Sequence, residues 1–284
     1  MNAADPVQAL HDRCAIYTAA ETATKLLDLI GWTVDADLTS ARLLEPCVGE
    51  GAILTEAVRR LCAVAVRRWP LRKDILAGRI AAFELHPATA DKARQAVLLV
   101  LREFGLASPA ARQLAAAWVK TADFLLQPVE PATHVVANPP YVRWAKVPPS
   151  LAVTYRKEMR PTATRGDLSV AFLDRMLDWA TDGGRVVAIV SDRWMFAQYG
   201  DPFLRDTARR RWSLRIIEER PRSPFERSVG AYSSIVSFEK IEAGNDAPAL
   251  SFVSRGARHS EHANLVSRHG TLEDAGADVR VGPA

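Results

Sequence analysis

Short apolar segments alternate with amphipathic helical stretches along this chain, and that alternation narrows the fold more than any other feature. Strand-like runs separated by helices imply a parallel sheet covered on both faces, an α/β architecture. Residues 42–45 (RLLE), 79–84 (RIAAFE), 116–120 (AAWVK), 133–137 (THVVA) and 185–190 (RVVAIV) read as strands, and 214–217, 232–239 and a short 249–253 follow them. Helices are expected over about 52–69, 87–105, 167–179 and 201–211. Pro139 and Pro140 directly follow the fourth run and must end it, because neither can donate to a strand ladder. Residues 142–165 read as a long basic loop with at most one helical turn, and Gly183-Gly184 as the break before 185–190.

Several classes of protein fall away on composition. The chain has 284 residues, 48% hydrophobic and 25% charged, as expected of one large globular domain with little beside it. No run is long and apolar enough for a membrane span, and the first residues lack a basic segment followed by an apolar core, so a cytoplasmic location is expected. Cys14, Cys47 and Cys62 form an odd, unpatterned set that suits a reduced protein. Beyond His259 and His262, in what reads as a solvated tail, the histidines show no metal spacing, and no metal is expected.

Charge is unevenly spread. The formal net charge is +4, yet residues 142–165 carry six basic side chains, Arg143, Lys146, Arg156, Lys157, Arg160 and Arg165, against Glu158 alone. Residues 193–227 hold nine arginines against five acids, whereas 241–284 is net acidic. Two basic stretches around one motif suit a polyanion such as nucleic acid, although a solvated face is the ordinary explanation of any single cluster.

Three strand ends carry acids. Glu45-Pro46-Cys47-Val48-Gly49-Glu50-Gly51 follows the first strand, and Gly49 and Gly51 either let the backbone approach a ligand closely or simply close a tight turn. Glu45 can neutralise a cation or accept from an amino group. Glu84, ending the second strand, can accept both hydroxyls of a ribose, and Asp123, after the third, can accept from an adenine amino group. Each acid alone would pass as a cap or a surface residue; together they suit an adenosine-type cofactor. Asn138-Pro139-Pro140-Tyr141 after the fourth strand is the sharpest signal.

In this order, EPCVGEG, Glu84, Asp123 and NPPY resemble the gamma-arrangement amino-methylating (adenine N6) DNA methyltransferases of type II and type IIG restriction-modification systems, from about Tyr17 to Lys240. The resemblance implies a Rossmann-like class I S-adenosylmethionine (AdoMet)-dependent methyltransferase fold, with a seven-stranded, mostly parallel sheet. It places Thr18 against the cofactor, although Ala19 stands where that family has proline. Phe172, in DLSVAFLDRML, falls where a phenylalanine packs on the cofactor adenine, a position that core packing explains equally well. The cofactor set is then Thr18, Glu45, Pro46, Gly49, Gly51, Glu84, Asp123 and Phe172. Asn138, Pro139, Pro140 and Tyr141 form the catalytic turn. Tyr141 and Phe225 are expected to stack on a flipped target base, with Phe225 alternatively a packing plug, and Arg143, Lys146, Arg156 and Lys157 to meet the backbone of double-stranded DNA.

The chemistry accounts for these residue types. An adenine amino nitrogen is a poor nucleophile, because its lone pair is conjugated into the ring. The Asn138 side-chain oxygen and the Pro139 carbonyl could accept from its hydrogens, pre-positioned by the restrictions proline places on itself and its predecessor. Alternatives are a glutamine-amide methyltransferase acting on release factors, an RNA amino methyltransferase, or a non-catalytic subunit of the same shape that binds nucleic acid. Residues 1–240 are expected to form the catalytic domain and 241–284 a linker with the start of a truncated target-recognition region. Recognition would otherwise come from a separate specificity or nuclease subunit.

Overall fold

A computed structural model of the chain describes residues 6–8, 10, 18–191, 193–218, 233–240, 250–254, 273–275 and 278–281. Seven strands form the body of its sheet: β1 (Leu43–Glu45), β2 (Ile80–Glu84), β3 (Val119–Thr121), β4 (Ala132–Ala137), β5 (Ala180–Ser191), β6 (Trp212–Glu218) and β7 (Ser233–Lys240). Their order is β3-β2-β1-β4-β5-β7-β6. The first five in this row pair in parallel, and β7 runs antiparallel between β5 and β6. Beyond β6 the sheet continues with β8 (Leu250–Ser254), at the strand expected over 249–253, then β10 (Asp278–Val281) and β9 (Glu273–Ala275).

The pleat explains why the strands read as unbroken apolar runs. Neighbouring residues point to opposite faces, and here both faces are buried. Leu44, Val135, Val186 and Ala188 join one core cluster, while Leu43, Val136, Val187 and Ile189 join the other. The second cluster is covered by α1 (Ala20–Ile30), α2 (Ala52–Val66), α3 (Pro87–Glu103) and α4 (Ser108–Trp118). The first is covered by α5 (Pro149–Glu158), α6 (Leu168–Asp178) and α7 (Asp201–Arg209). These helices thus come from before NPPY on one face and from after it on the other, although Leu10, Phe124, Leu125 and Val129 also join the first cluster.

The structure departs from the sequence reading at several edges. Residues 116–118 end α4 rather than begin a strand, so β3 is only Val119–Thr121. Helices α1 and α4 have no counterpart among the expected elements. The stretch 142–165 is not a long loop: a 3₁₀ turn at Trp144–Lys146 leads into the ten-residue α5, with Pro149 in its first turn, where a missing N–H costs nothing. Gly183 and Gly184 lie inside β5, where the register against β4 shifts between Ala132 and His134. The strand thus bulges at the glycines instead of starting after them.

Candidate active site

The sheet order reverses between β1 and β4, and a crevice at the carboxyl ends of strands forms at such a switch point. A cavity of about 500 Å³ opens there. Thr18, Glu45, Pro46, Gly49, Gly51, Glu84, Asp123 and Phe172 all line it, together with Asn138 and Pro140. Residues distant in sequence are thus brought together around one cavity.

The glycine turn is shaped by backbone constraints. Gly49 and Gly51 have φ of +58° and +95°, in the left-handed region that side chains disfavour. A Cβ on Gly51 would meet the Ala93 backbone at 3.4 Å, because the turn lies against α3. Val48 N–H donates to the Phe83 carbonyl at 2.9 Å, tying the turn to β2.

The three acids differ in how they are held. Glu84 accepts from Gly49 N–H and from His86 N–H, each at 2.9 Å, one on each carboxylate oxygen. Asp123 accepts from Leu125 N–H at 3.0 Å and from the Tyr155 hydroxyl at 2.7 Å. Burial raises the Asp123 carboxyl above its ordinary range, and these two bonds act in the opposite direction. Glu45 is 1% exposed, and its Oε2 has no hydrogen-bond partner among the described residues. Burial pushes its carboxyl well above the usual range, and nearby Glu84 adds to the shift. An orphaned acceptor on a cavity wall is where a donor or a cation from a ligand would be satisfied.

Asn138 closes the far side. Its Nδ2 donates to Thr18 Oγ1 at 3.0 Å, and its Oδ1 lies 2.9 Å from the Tyr141 hydroxyl, which is also 2.9 Å from the Ile189 carbonyl. The amide is thus held at both ends, with Oδ1 towards Tyr141, whose one hydroxyl hydrogen serves either Oδ1 or the Ile189 carbonyl at a time. Burial of the phenol end pushes Tyr141 well above its ordinary range, with the Cys47 thiol contributing. The residue as a whole is half-buried. Pro139 is buried, and neither it nor Tyr141 is part of the cavity lining.

Other expected residues fall differently. Phe172 is 8% exposed and stacks on Phe124 at 5.9 Å, so it belongs to the core and to the cavity wall together. Arg143, Lys146, Arg156 and Lys157 are exposed, and the Arg156 guanidinium lies over the Trp144 ring at 5.4 Å. Arg160 does not share that role: it is ion-paired with Asp174 and Asp178, which Arg210 also binds. Tyr17 and Phe225 lie outside the described residues. Among the described residues there is no grouping of side chains suited to a metal ion, and no helix long and apolar enough to cross a membrane.

The sequence reading missed Val7, Leu10, His86, Phe124 and Tyr155, which also line the cavity. The Asp123-Phe124 adjacency could have drawn attention to Phe124, since it follows directly on a strand-end acid. Nothing local marks Leu10 or Tyr155, whose places depend on distant packing.

The strand order, the glycine turn after β1 and the polar turn after β4 define a Rossmann-like class I AdoMet-dependent methyltransferase fold. Among solved structures, the chain is similar to a type I restriction-modification methyltransferase subunit from Streptococcus thermophilus (TM-score 0.62, 16% identity, 97% of this chain and 57% of that one). It is also similar to a class I S-adenosylmethionine-dependent methyltransferase from Listeria monocytogenes (TM-score 0.56, 15% identity, 88% of this chain and 70% of that one). Within that class, residues 133–217 match the Eco57I restriction-modification methylase family. The chain is 36% identical over 239 residues to the Type II methyltransferase M.PaeR7I of Pseudomonas aeruginosa, covering 83% of this chain and 42% of the relative. The resemblance to restriction-modification methylases read from the motifs is thus borne out, and the chain spans about two fifths of the length of that relative.

Proposed function

We propose that this chain is the catalytic part of a restriction-modification enzyme that methylates the exocyclic amino group of adenine in double-stranded DNA. The observation that carries this reading is the position of Asn138 at the end of β4, on the wall of a cavity whose other side presents Glu45, Glu84 and Asp123. Residues 1–240 form the catalytic domain in this reading, and 241–284 a linker with the start of a target-recognition region. The protein works in the cytoplasm, with sequence choice supplied by further chain or by a separate specificity or nuclease subunit.

The residues present fit AdoMet. Glu84 keeps acceptor capacity for a ribose diol beyond its two backbone donors, Asp123 for an adenine amino group, and the orphaned Glu45 Oε2 for the cationic methionine end. Phe124 and Phe172 give the cavity an apolar wall for the adenine ring. When bound, AdoMet supplies an electrophilic methyl group on a sulfonium.

The remaining work falls to the chain. Asn138 Oδ1 and the Pro139 carbonyl accept from the two amino hydrogens of the target, favouring the pyramidal nitrogen whose lone pair is free to attack. Their positions are fixed beforehand by the proline ring and by the Thr18 and Tyr141 contacts, so little reorganisation accompanies reaction. The base leaves the duplex to reach them, and the Tyr141 ring and Phe225 hold it, stacking being worth roughly 1–3 kcal/mol per base. Arg143, Lys146, Arg156 and Lys157 attract the phosphates beside it. The test is transfer of labelled methyl from AdoMet to DNA, followed by nucleoside analysis. N6-methyladenine is expected; N4-methylcytosine, or labelling of release factor or RNA in place of DNA, would overturn the reading.

A further inference from the structure

No motif marks Tyr155, yet it stands at the centre of the cofactor side. It belongs to α5, in the segment after NPPY, whereas the three acids come from the first half of the chain. Its side chain is 1% exposed and lines the cavity. Its hydroxyl donates to Asp123 Oδ2 at 2.7 Å while Leu125 N–H holds Oδ1 at 3.0 Å. The Trp144 ring meets the Tyr155 ring edge-on at 6.3 Å and keeps it from turning away.

We propose that Tyr155 is a positioning residue for the cofactor, its hydroxyl fixing the Asp123 carboxylate in the orientation that receives the adenine amino group. The inference rests on the AdoMet reading above. A carboxylate oxygen accepts more than one hydrogen bond, so the phenol occupies one acceptor site at Oδ2 and leaves the other for a ligand. Because a phenol O–H donates, it also keeps Asp123 in its accepting form. Burial favours the protonated acid, and the Tyr155 bond is the larger of the two hydrogen bonds opposing that. Without the hydroxyl the carboxyl is freer to rotate and protonates more readily, and a protonated acid is a poorer acceptor.

This gives a signature that loss of packing would not. Glu45 at the end of β1, Glu50 in the glycine turn, Glu84 at the end of β2, His86 beyond it and Asn138 after β4 share the cavity, while Arg156, Lys157 and Glu158 of α5 are exposed and not part of its lining. The hydroxyl's own share therefore comes from the difference between variants. AdoMet binding is measured by calorimetry from pH 5 to 8 for the parent chain, Tyr155→Phe, Asp123→Asn and the double variant, with thermal unfolding as a check on folding. Tyr155→Phe is expected to weaken binding by about 3–10-fold near neutral pH. The loss should grow as pH falls, moving the acid limb of the affinity profile upwards. In the Asp123→Asn background the same change should leave the profile where it was. An unchanged profile for Tyr155→Phe, or uniform weakening at every pH, overturns the inference while leaving the function standing. A parent chain that does not bind AdoMet overturns both.

Discussion

The glycine turn and the Asn-Pro-Pro-Tyr turn line one cavity, yet they are held in opposite ways. Around the glycine turn, acids are gripped by backbone N–H groups: Gly49 and His86 on Glu84, and Leu125 on Asp123. Around NPPY, side chains hold one another in series, from Thr18 to Asn138 to Tyr141 and then to the Ile189 carbonyl. Backbone donors are set by the fold and survive most substitutions nearby. A serial chain of side chains passes each disturbance to the next member. In the proposed enzyme, cofactor binding would then rest on separable parts and catalysis on a linked one.

The sharpest way to break this comparison is Asn138→Ala. Transfer should fall about 10²–10³-fold, the loss typical of removing one preorganised transition-state hydrogen-bonding group, while AdoMet affinity stays within about ten-fold. Equal losses in both would mean that the two turns are not separable. Glu84→Ala tests the other side: a charged acceptor's bonds are worth about 1.5–3 kcal/mol, so calorimetry should show AdoMet affinity reduced about ten-fold or more. Thr18→Val removes the acceptor for Asn138 Nδ2 and keeps the bulk. Single-turnover rates should drop by about two- to ten-fold, as for removal of one neutral hydrogen bond, with Tyr141→Phe in the same background adding less than it does alone. The smallest effect belongs outside the cavity. Replacing Arg156 and Lys157 by alanine should flatten the slope of log affinity against log salt for DNA binding, by about 0.9 for each phosphate no longer neutralised. AdoMet affinity should stay unchanged.

The sequence disclosed the cavity better than its surroundings. Glu45, Glu84, Asp123 and Asn138 each end an apolar run, and glycine or proline punctuates the chain close to three of them, so strand ends and side-chain chemistry could be read together. Helix α4 went unread because Trp118-Val119 carries β preference into a helix end, so that its last turn passed for a strand. Helix α5 was obscured by Pro148-Pro149 and by its charges, although a proline at the first turn begins helices as readily as it ends strands. The Asn138 amide contact with Thr18, like the Tyr155 bond to Asp123, joins elements far apart in sequence, and no local pattern encodes either.

Helix α5 presents Tyr155 to the cavity and, at the next two positions, Arg156 and Lys157 to solvent. All three belong to one ten-residue helix whose first turn is set by proline. Whatever free energy an occupied cavity contributes to one placement of that helix must be returned when a polyanion engages its outer side first, since coupling between two sites is reciprocal. In the proposed enzyme, any effect of the cofactor on DNA affinity carried by this helix would equal the effect of DNA on cofactor affinity, whichever its sign.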